Sequence, residues 1–295
     1  MPSNLRFLAQ LTLAVVLGLS ACASLGTSNT PTPELPTSTP LPPTATPPPS
    51  VAIVNGEYIT TAEFQSELER FKTSQTAQGL SFTEEDANKA VLEDMITQTL
   101  LVQAAREANF TLTDADLQAR IDALASDIGG ADALSTWQST HGYDEASFRI
   151  ALRRSVEAAW MRDKIIADVP MSVEQIHLRQ ILTYNQEDAQ TALDQLKAGA
   201  DFDELAALYD PVTLGELGWV PQGYLLDASA DEAVFALEAG QYSAIIRTDA
   251  GFHIFKALER DNHLLSPDAL LTLQELELRG WVAEKRASSD IVLAP

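Results

Sequence analysis

Alternating and helical hydrophobic patterns divide the chain into stretches with different predicted structures. Residues 51–60 read Val-Ala-Ile-Val-Asn-Gly-Glu-Tyr-Ile-Thr, which predicts two short strands joined by an Asn-Gly turn. A helix is then expected to begin near Thr60. Apolar residues recur at intervals of three and four further on, which predicts helices at 83–109, 114–125, 131–140 and 144–168. This first stretch is therefore expected to be mainly helical.

An alternating pattern replaces the helical one after Pro170, which disfavours helical geometry in the residue before it. Ile176, Leu178 and Gln180 alternate with His177, Arg179 and Ile181, which predicts a strand. Helices are predicted at 187–197, 202–209 and 231–237, a turn or short strand at 215–220, and a closing hairpin of 243–247 and 252–258. The pattern thus predicts a small sheet wrapped by helices.

A last amphipathic helix begins at Ser266-Pro267-Asp268, and residues 291–293 form a short apolar strand. An isolated helix of this kind is marginal in water and needs a partner surface. Packing on the helices of residues 51–169 would supply one. The stretch between the two helical parts would then be an insertion.

The first 50 residues have a different composition. An apolar run from Phe7 to Leu19 is short for a membrane span and is typical of a signal peptide, residues 1–22. It ends in Leu-Ser-Ala-Cys, which resembles the bacterial lipobox and implies a lipid anchor on Cys22. The alternative is a plain secretory signal with an incidental cysteine. Residues 23–50 are a linker rich in Pro and Thr that favours an extended stalk, with a Pro-rich ligand for a partner as the alternative.

Charge and residue counts exclude several classes of function. The chain has 295 residues and a formal net charge of -23, which argues against nucleic-acid binding. Its single cysteine allows no intrachain disulfide, and its four histidines are widely spaced, so we expect neither a metal nor another cofactor. One side of helix 144–168 is cationic. Pairing with local acids is the simpler interpretation, and a patch for client chains or lipid headgroups is the alternative.

Several short motifs resemble those of parvulin-type peptidylprolyl isomerases. They include LRQIL at 178–182, GADFDELA at 199–206, GELGW at 215–219 and TDAGFHIF at 248–255. The opening VNGEYIT is similar to the start of the chaperone module of SurA and PrsA relatives. The resemblance implies an α+β fold, in which a helical chaperone module formed by 51–170 and 263–295 carries an inserted parvulin domain at 172–262.

The resemblance also implies site residues. His253 matches the second histidine of the parvulin pair, and Thr248 matches the hydroxyl residue that opens its motif. Asp210 is the candidate acid beside the substrate carbonyl, and its carboxylate could hydrogen-bond to the histidine network. Gln180 stands where the family usually has its first histidine, and glutamine can form hydrogen bonds but does not titrate. The apolar residues assigned to the proline socket are Leu217, Leu225 and Phe252.

The implied function is that of a membrane-anchored extracytoplasmic foldase. It would isomerise X-Pro bonds and bind unfolded or partly folded exported polypeptides, and a homodimer through the helical module is a further possibility. The alternative is a parvulin-fold holdase without isomerase activity. Three departures from the family pattern favour that alternative: Gln180, a short loop at 209–215, and small residues at 228–230 where an aromatic residue commonly closes the socket. His253 could then be a structural residue.

Two remaining hypotheses concern the ligand. The turn at 184–188 is short and acidic, which argues against a substrate phosphorylated before proline. A lipoprotein that binds a small solute is the third class of function, although no constellation of polar residues favours it.

Overall fold

Two antiparallel sheets and the helices around them make up residues 47–294, the part of the chain that the computed structural model describes. The strands are β1 Ser50–Val54, β2 Glu57–Thr60, β3 Ser172–Thr183, β4 Glu216–Pro221, β5 Ile246–Thr248, β6 Gly251–Leu264 and β7 Ile291–Leu293. The helices are α1 Thr61–Ala77, α2 Glu84–Glu107, α3 Asp114–Asp127, α4 Ala131–Thr140, α5 Glu145–Ile166, α6 Gln186–Lys197, α7 Phe202–Tyr209, α8 Ala228–Phe235 and α9 Pro267–Ala287. The predicted α+β class is confirmed. The signal peptide, Cys22 and nearly all of the predicted linker lie outside the described residues.

Polar side chains determine where the helices begin. The Thr60 hydroxyl accepts from the backbone N–H of Glu63 at 3.2 Å, and the Glu63 carboxylate accepts from the backbone N–H of Thr60 at 3.1 Å. This capping box starts α1 as predicted. Helix α8 starts at Ala228, earlier than the predicted residue 231, because the Asp227 carboxylate accepts from the backbone N–H of Ala230.

The first sheet, in the order β2-β1-β7, brings the two ends of the described chain together. Val54 pairs with Glu57 across the Asn-Gly turn and with Ile291 on the last strand. The buried side chains of Ala52 and Val54 belong to one apolar core with those of α1 and α2. The C-terminal strand is therefore part of the same sheet as the first strand.

Helix α9 has the partner surface that its amphipathic pattern requires. Leu278 and Trp281 pack against buried residues of α2 and α5. Lys285 forms an ion pair with Glu107 at 2.8 Å on the same side. The end of the chain thus packs on the helices that precede the second sheet, and the domain limits at 170 and 262 stay a prediction.

The cationic side of α5 is paired with neighbouring groups. Arg153 contacts Asp114 at 2.5 Å, and Arg154 contacts Glu63 at 3.0 Å. Arg162 contacts the adjacent Asp163. This arrangement agrees with the simpler interpretation of the cationic residues.

The second sheet has the order β4-β3-β6-β5, and β3 pairs with β6 along its whole length. Because successive side chains point to opposite faces, Ile181 packs on α6 and α7, whereas Leu178 packs on α8. Strand β6 is longer than the predicted 252–258, since the long β3 supplies pairing as far as Leu264.

Within residues 47–294, no helix is both long enough and apolar enough to cross a membrane.

Candidate active site

A cavity of about 650 Å³ opens on the α8 side of the second sheet. Leu217, Leu225 and Phe255 form apolar walls, and Gln180 and His253 are among its polar lining residues. The structure therefore brings together residues from β3, β4, β6 and the loop before α8. An apolar cleft with a few convergent polar groups is a common form of ligand site.

Gln180, Thr248 and His253 form a continuous hydrogen-bonded chain in this cavity. The Nδ1 atom of His253 lies 2.8 Å from the Gln180 Oε1 atom, and the Nε2 atom lies 2.8 Å from the Thr248 hydroxyl. An amide oxygen can only accept, so Nδ1 carries the proton. In the neutral ring, Nε2 then accepts from the Thr248 hydroxyl.

The surroundings of His253 keep its ring neutral. The residue is only 7% exposed, and this burial lowers the pKa of its imidazole below the ordinary 6.5. The negative charge of Asp227 opposes this effect in part. The pKa of Asp227 is itself lowered by hydrogen bonds from the Ser229 side chain and the Ala230 backbone, so Asp227 is ionised at neutral pH.

Strand pairing explains how these residues meet. Gln180 on β3 is paired with Phe255 on β6, and His253 lies two residues before Phe255 and therefore on the same face. The rings of His253 and Phe255 stack with centroids 5.2 Å apart. Thr248 is close because the β5–β6 hairpin pairs it with Gly251.

The GELGW motif holds Gln180 from the other side. The backbone N–H of Gln180 donates to the Gly215 carbonyl oxygen at 2.7 Å. Gly215 has a φ of 71°, and a Cβ atom there would lie 2.1 Å from the Gln180 carbonyl oxygen. Only glycine permits this approach. Leu217 is the extra residue of a β-bulge, because Leu178 pairs with Gly218 and Arg179 pairs with Glu216. The Leu217 side chain lines the cavity.

Asp210 is placed differently from the expectation. It ends α7, and its carboxylate accepts from the backbone N–H groups of Val212 at 3.1 Å and Thr213 at 3.0 Å, as well as from the Thr213 hydroxyl. The expectation that Asp210 joins the histidine network is wrong, because the loop folds back onto its carboxylate. The carboxylate whose charge acts on His253 is that of Asp227.

Phe252 also lies apart from the cavity. It precedes His253 directly, so its side chain belongs to the opposite face of β6. There it pairs with Arg247, whose guanidinium lies 6.0 Å from the ring centroid. Phe252 thus misses the cavity by one strand position, and Phe255 and Tyr224 supply the aromatic surfaces there.

Sequence reasoning missed part of the cavity lining. Phe255 could have been found, because it shares the strand face of His253. Tyr224 and Asp227 lie in an irregular loop whose path no periodic pattern predicts. Asp268 and Thr272 come from α9, which follows the second sheet and packs on α2 and α5.

The helical part contains a second cavity of about 740 Å³ between α1, α2 and α5. Phe71, Met95, Tyr143 and Ile150 are among its lining residues. Met95 is 8% exposed and belongs to the core, whereas Ile150 is 52% exposed. Among residues 47–294, no group of three or more His, Cys, Asp or Glu side chains is arranged to hold a metal ion.

Similarity to known proteins falls on both parts of the chain. Residues 44–151 match the family model of the SurA-like N-terminal domain, and residues 180–259 match that of the PPIC-type PPIASE domain. Among solved structures, the peptidylprolyl isomerase PrsA from Bacillus cereus has 19% sequence identity and a TM-score of 0.43, with 80% of this chain and 85% of that chain covered.

Two curated relatives extend the similarity. The foldase protein PrsA of Caldanaerobacter subterraneus subsp. tengcongensis is 28% identical over 234 residues, which cover 70% of this chain and 72% of that protein. The chaperone SurA of Nitrosococcus oceani is 27% identical over 281 residues, which cover 78% of this chain and 65% of that protein. The chain spans 56% of the length of another SurA relative, from Methylobacillus flagellatus. The chain therefore contains a SurA-like N-terminal domain and a PPIC-type PPIASE domain, which make it a relative of the PrsA and SurA proteins.

Proposed function

We propose that the chain is an extracytoplasmic foldase that isomerises X-Pro peptide bonds and holds unfolded exported polypeptides. The observation that carries the proposal is the cavity in which the Gln180–His253–Thr248 chain of hydrogen bonds meets the apolar walls formed by Leu217 and Leu225. The names of the relatives, foldase and chaperone, support the same class of function.

The reaction requires only that the enzyme favour a twisted amide. Resonance gives the peptide bond a rotation barrier of ~18–20 kcal/mol, and uncatalysed X-Pro isomerisation takes tens to hundreds of seconds. Twisting returns the lone pair to the proline nitrogen. A site that binds the ring in an apolar socket and donates a hydrogen bond to that nitrogen stabilises the twisted state more than the planar one.

Gln180 is the residue that we assign to this donation. Its Oε1 atom is occupied by His253, which fixes the orientation of the side-chain amide. Its Nε2 group has no hydrogen-bond partner among residues 47–294 and is free to donate to the substrate. His253 and Thr248 then act as positioning residues, which hold the glutamine in place through the imidazole ring.

The second cavity is the candidate site for holding clients. It combines the exposed Ile150 with the apolar rings of Phe71 and Tyr143, so it can cover an apolar segment of an unfolded chain. Isomerase and holdase activities would then reside in separate cavities. This separation makes the two parts of the proposal independently testable.

The experiment uses two variants of the full chain. Leu217→Arg, on the wall of the proline cavity, is expected to abolish acceleration of a refolding reaction limited by X-Pro isomerisation and to leave suppression of client aggregation intact. Ile150→Asp is expected to leave the acceleration of refolding intact and to abolish suppression of client aggregation. Val212→Arg is the matched control, because Val212 is 88% exposed on the loop outside both cavities. Loss of both activities in either variant, with its melting temperature unchanged, would contradict the separation.

A holdase without isomerase activity is the second candidate, favoured by the neutral Gln180 at the position of a family histidine. It predicts aggregation suppression with no acceleration of refolding by the wild-type chain.

Anchoring through Cys22 is part of the same proposal and rests on the leader sequence. Lipidation predicts that the wild-type chain partitions into membranes after export, and that Cys22→Ser releases it. Equal membrane partitioning of the two chains would contradict the lipid anchor.

A further inference from the structure

Helix α9 forms part of the wall of the proline cavity. Asp268 and Thr272, in its first turns, line the same cavity as Gln180 and His253. The other end of this helix packs on α2 and α5 through Trp281. The cavity is therefore built from both the second sheet and a helix that belongs to the helical core.

The loop between β4 and α8 is fixed against α9. The buried Asp231 carboxylate accepts from the backbone N–H of Gly223 at 2.9 Å. Gly223 has a φ of 87°, and a Cβ atom there would lie 2.7 Å from the Cδ1 atom of Leu276. Since this loop also carries Tyr224 and Leu225, contact with α9 determines where two of the cavity walls lie.

The charged side chains that line the cavity, among the described residues, are all carboxylates. Asp227, Asp249 and Asp268 line it, and no Lys or Arg is among the described residues that do so. None of these three carboxylates forms an ion pair within residues 47–294. Asp227 is held as the cap of α8, so Asp249 and Asp268, both exposed, are the carboxylates free to turn towards a ligand.

We propose that α9 completes the substrate site, and that Asp268 together with Asp249 and Asp227 selects X-Pro segments with a lysine or arginine next to the proline. This inference rests on the proposed function, since the cavity and its polar groups, not the acidic residues, identify the ligand as an X-Pro segment. The carboxylates then act on the side chain that flanks the proline ring. A cationic neighbour gains attraction, and an acidic neighbour is repelled.

The test measures selectivity among three peptides, Ala-Xaa-Pro-Phe with lysine, glutamine or glutamate as Xaa. At low salt, the full chain is expected to show a kcat/KM for the lysine peptide roughly tenfold above that for the glutamate peptide. The ratio should fall at least about threefold in 0.5 M salt, because screening weakens the attraction. The double variant Asp249→Asn/Asp268→Asn should lower the ratio at low salt by a similar factor.

Glu277→Gln is the matched control, because Glu277 is exposed on the same helix and does not line the cavity. It should keep the wild-type ratio, and the melting temperature of each variant shows whether it has folded. Equal kcat/KM values for the three peptides on the wild-type chain would overturn the inference. So would an unchanged ratio in the double variant.

Equilibrium binding of the same peptides, followed by NMR, separates this inference from the proposed function. The lysine peptide could bind most tightly, with that preference lost in the double variant, although no peptide is isomerised. This result would refute the proposed isomerase activity and support the selectivity. Equal binding of the three peptides overturns the selectivity.

Discussion

The Oε1 atom of Gln180 lies 2.8 Å from the Nδ1 atom of His253, and this contact joins the two central strands of the second sheet at the cavity. Because the oxygen only accepts, it fixes the tautomer of the histidine. A neutral, untitrating partner here also supplies no countercharge, so the negative charge of Asp227 is the one that favours protonation of the imidazole.

Gln180→Glu should raise the pKa of His253. A carboxylate at the Nδ1 atom favours the charged imidazolium, which opposes the effect of burial. NMR titration of the His253 ring protons in the full chain measures the pKa directly. Gln195→Glu, on the exposed side of α6, is the control and should leave the pKa unchanged. An unchanged or lowered pKa in Gln180→Glu would show that the two side chains are not in contact.

His253 should make the native chain less stable as the pH falls below 6.5. Its native pKa is lowered, so between the native value and 6.5 the unfolded chain binds a proton that the folded chain does not. The free energy of unfolding therefore decreases as the pH falls through this window and, as far as this group is concerned, is constant below it. Urea unfolding at pH 7.5 and 5.0 should show a larger loss for the wild type than for His253→Gln. Carboxylates affect both proteins alike, so equal losses would contradict the buried neutral ring.

The two glycines of GELGW should differ in their tolerance of alanine. At Gly215 a Cβ atom would meet the Gln180 carbonyl oxygen at 2.1 Å, and Gly215→Ala should cost about 3 kcal/mol or more. Gly218 has a similar φ of 75° with open space around it, so Gly218→Ala should cost only about 1 kcal/mol of backbone strain. Urea unfolding of both variants checks the order. Equal costs would argue against the close approach of the motif to Gln180.

Asp210→Asn should leave isomerase activity within about twofold of the wild type. The Asp210 carboxylate holds its own loop, so its loss should lower the free energy of unfolding by about 1 kcal/mol. Peptide isomerisation and urea unfolding measure the two effects. A tenfold loss of activity at unchanged stability would instead assign Asp210 to the reaction.

The sequence predicts regular elements well because their periods are local. Alternation along β3 places Gln180 and Ile181 on opposite faces, as the structure shows. Thr248 and His253 meet because a short hairpin joins their strands. For the same reason, the error over Phe252 is one of strand parity, since the neighbouring position faces the other side of the sheet.

The remaining lining residues depend on interactions that no local pattern contains. A loop carboxylate reaches the cavity only if the backbone N–H groups that it binds lie beside the cavity. Asp227 binds such a group at the start of α8, whereas Asp210 binds N–H groups of its own loop. Asp268 enters the cavity only because α9 packs on helices far earlier in the chain. The pattern predicts that helix, but not the surface that its first turn covers.

Isomerisation of X-Pro bonds in this cavity would change the exchange rate of a single such bond. NMR exchange spectroscopy on Ala-Ala-Pro-Phe, with catalytic amounts of the full chain, measures cis–trans interconversion without a coupled reaction. We expect a rate well above the spontaneous one for the wild type and Val212→Arg, and the spontaneous rate for Leu217→Arg. A wild-type rate equal to the spontaneous one, from a chain that is folded, would contradict it.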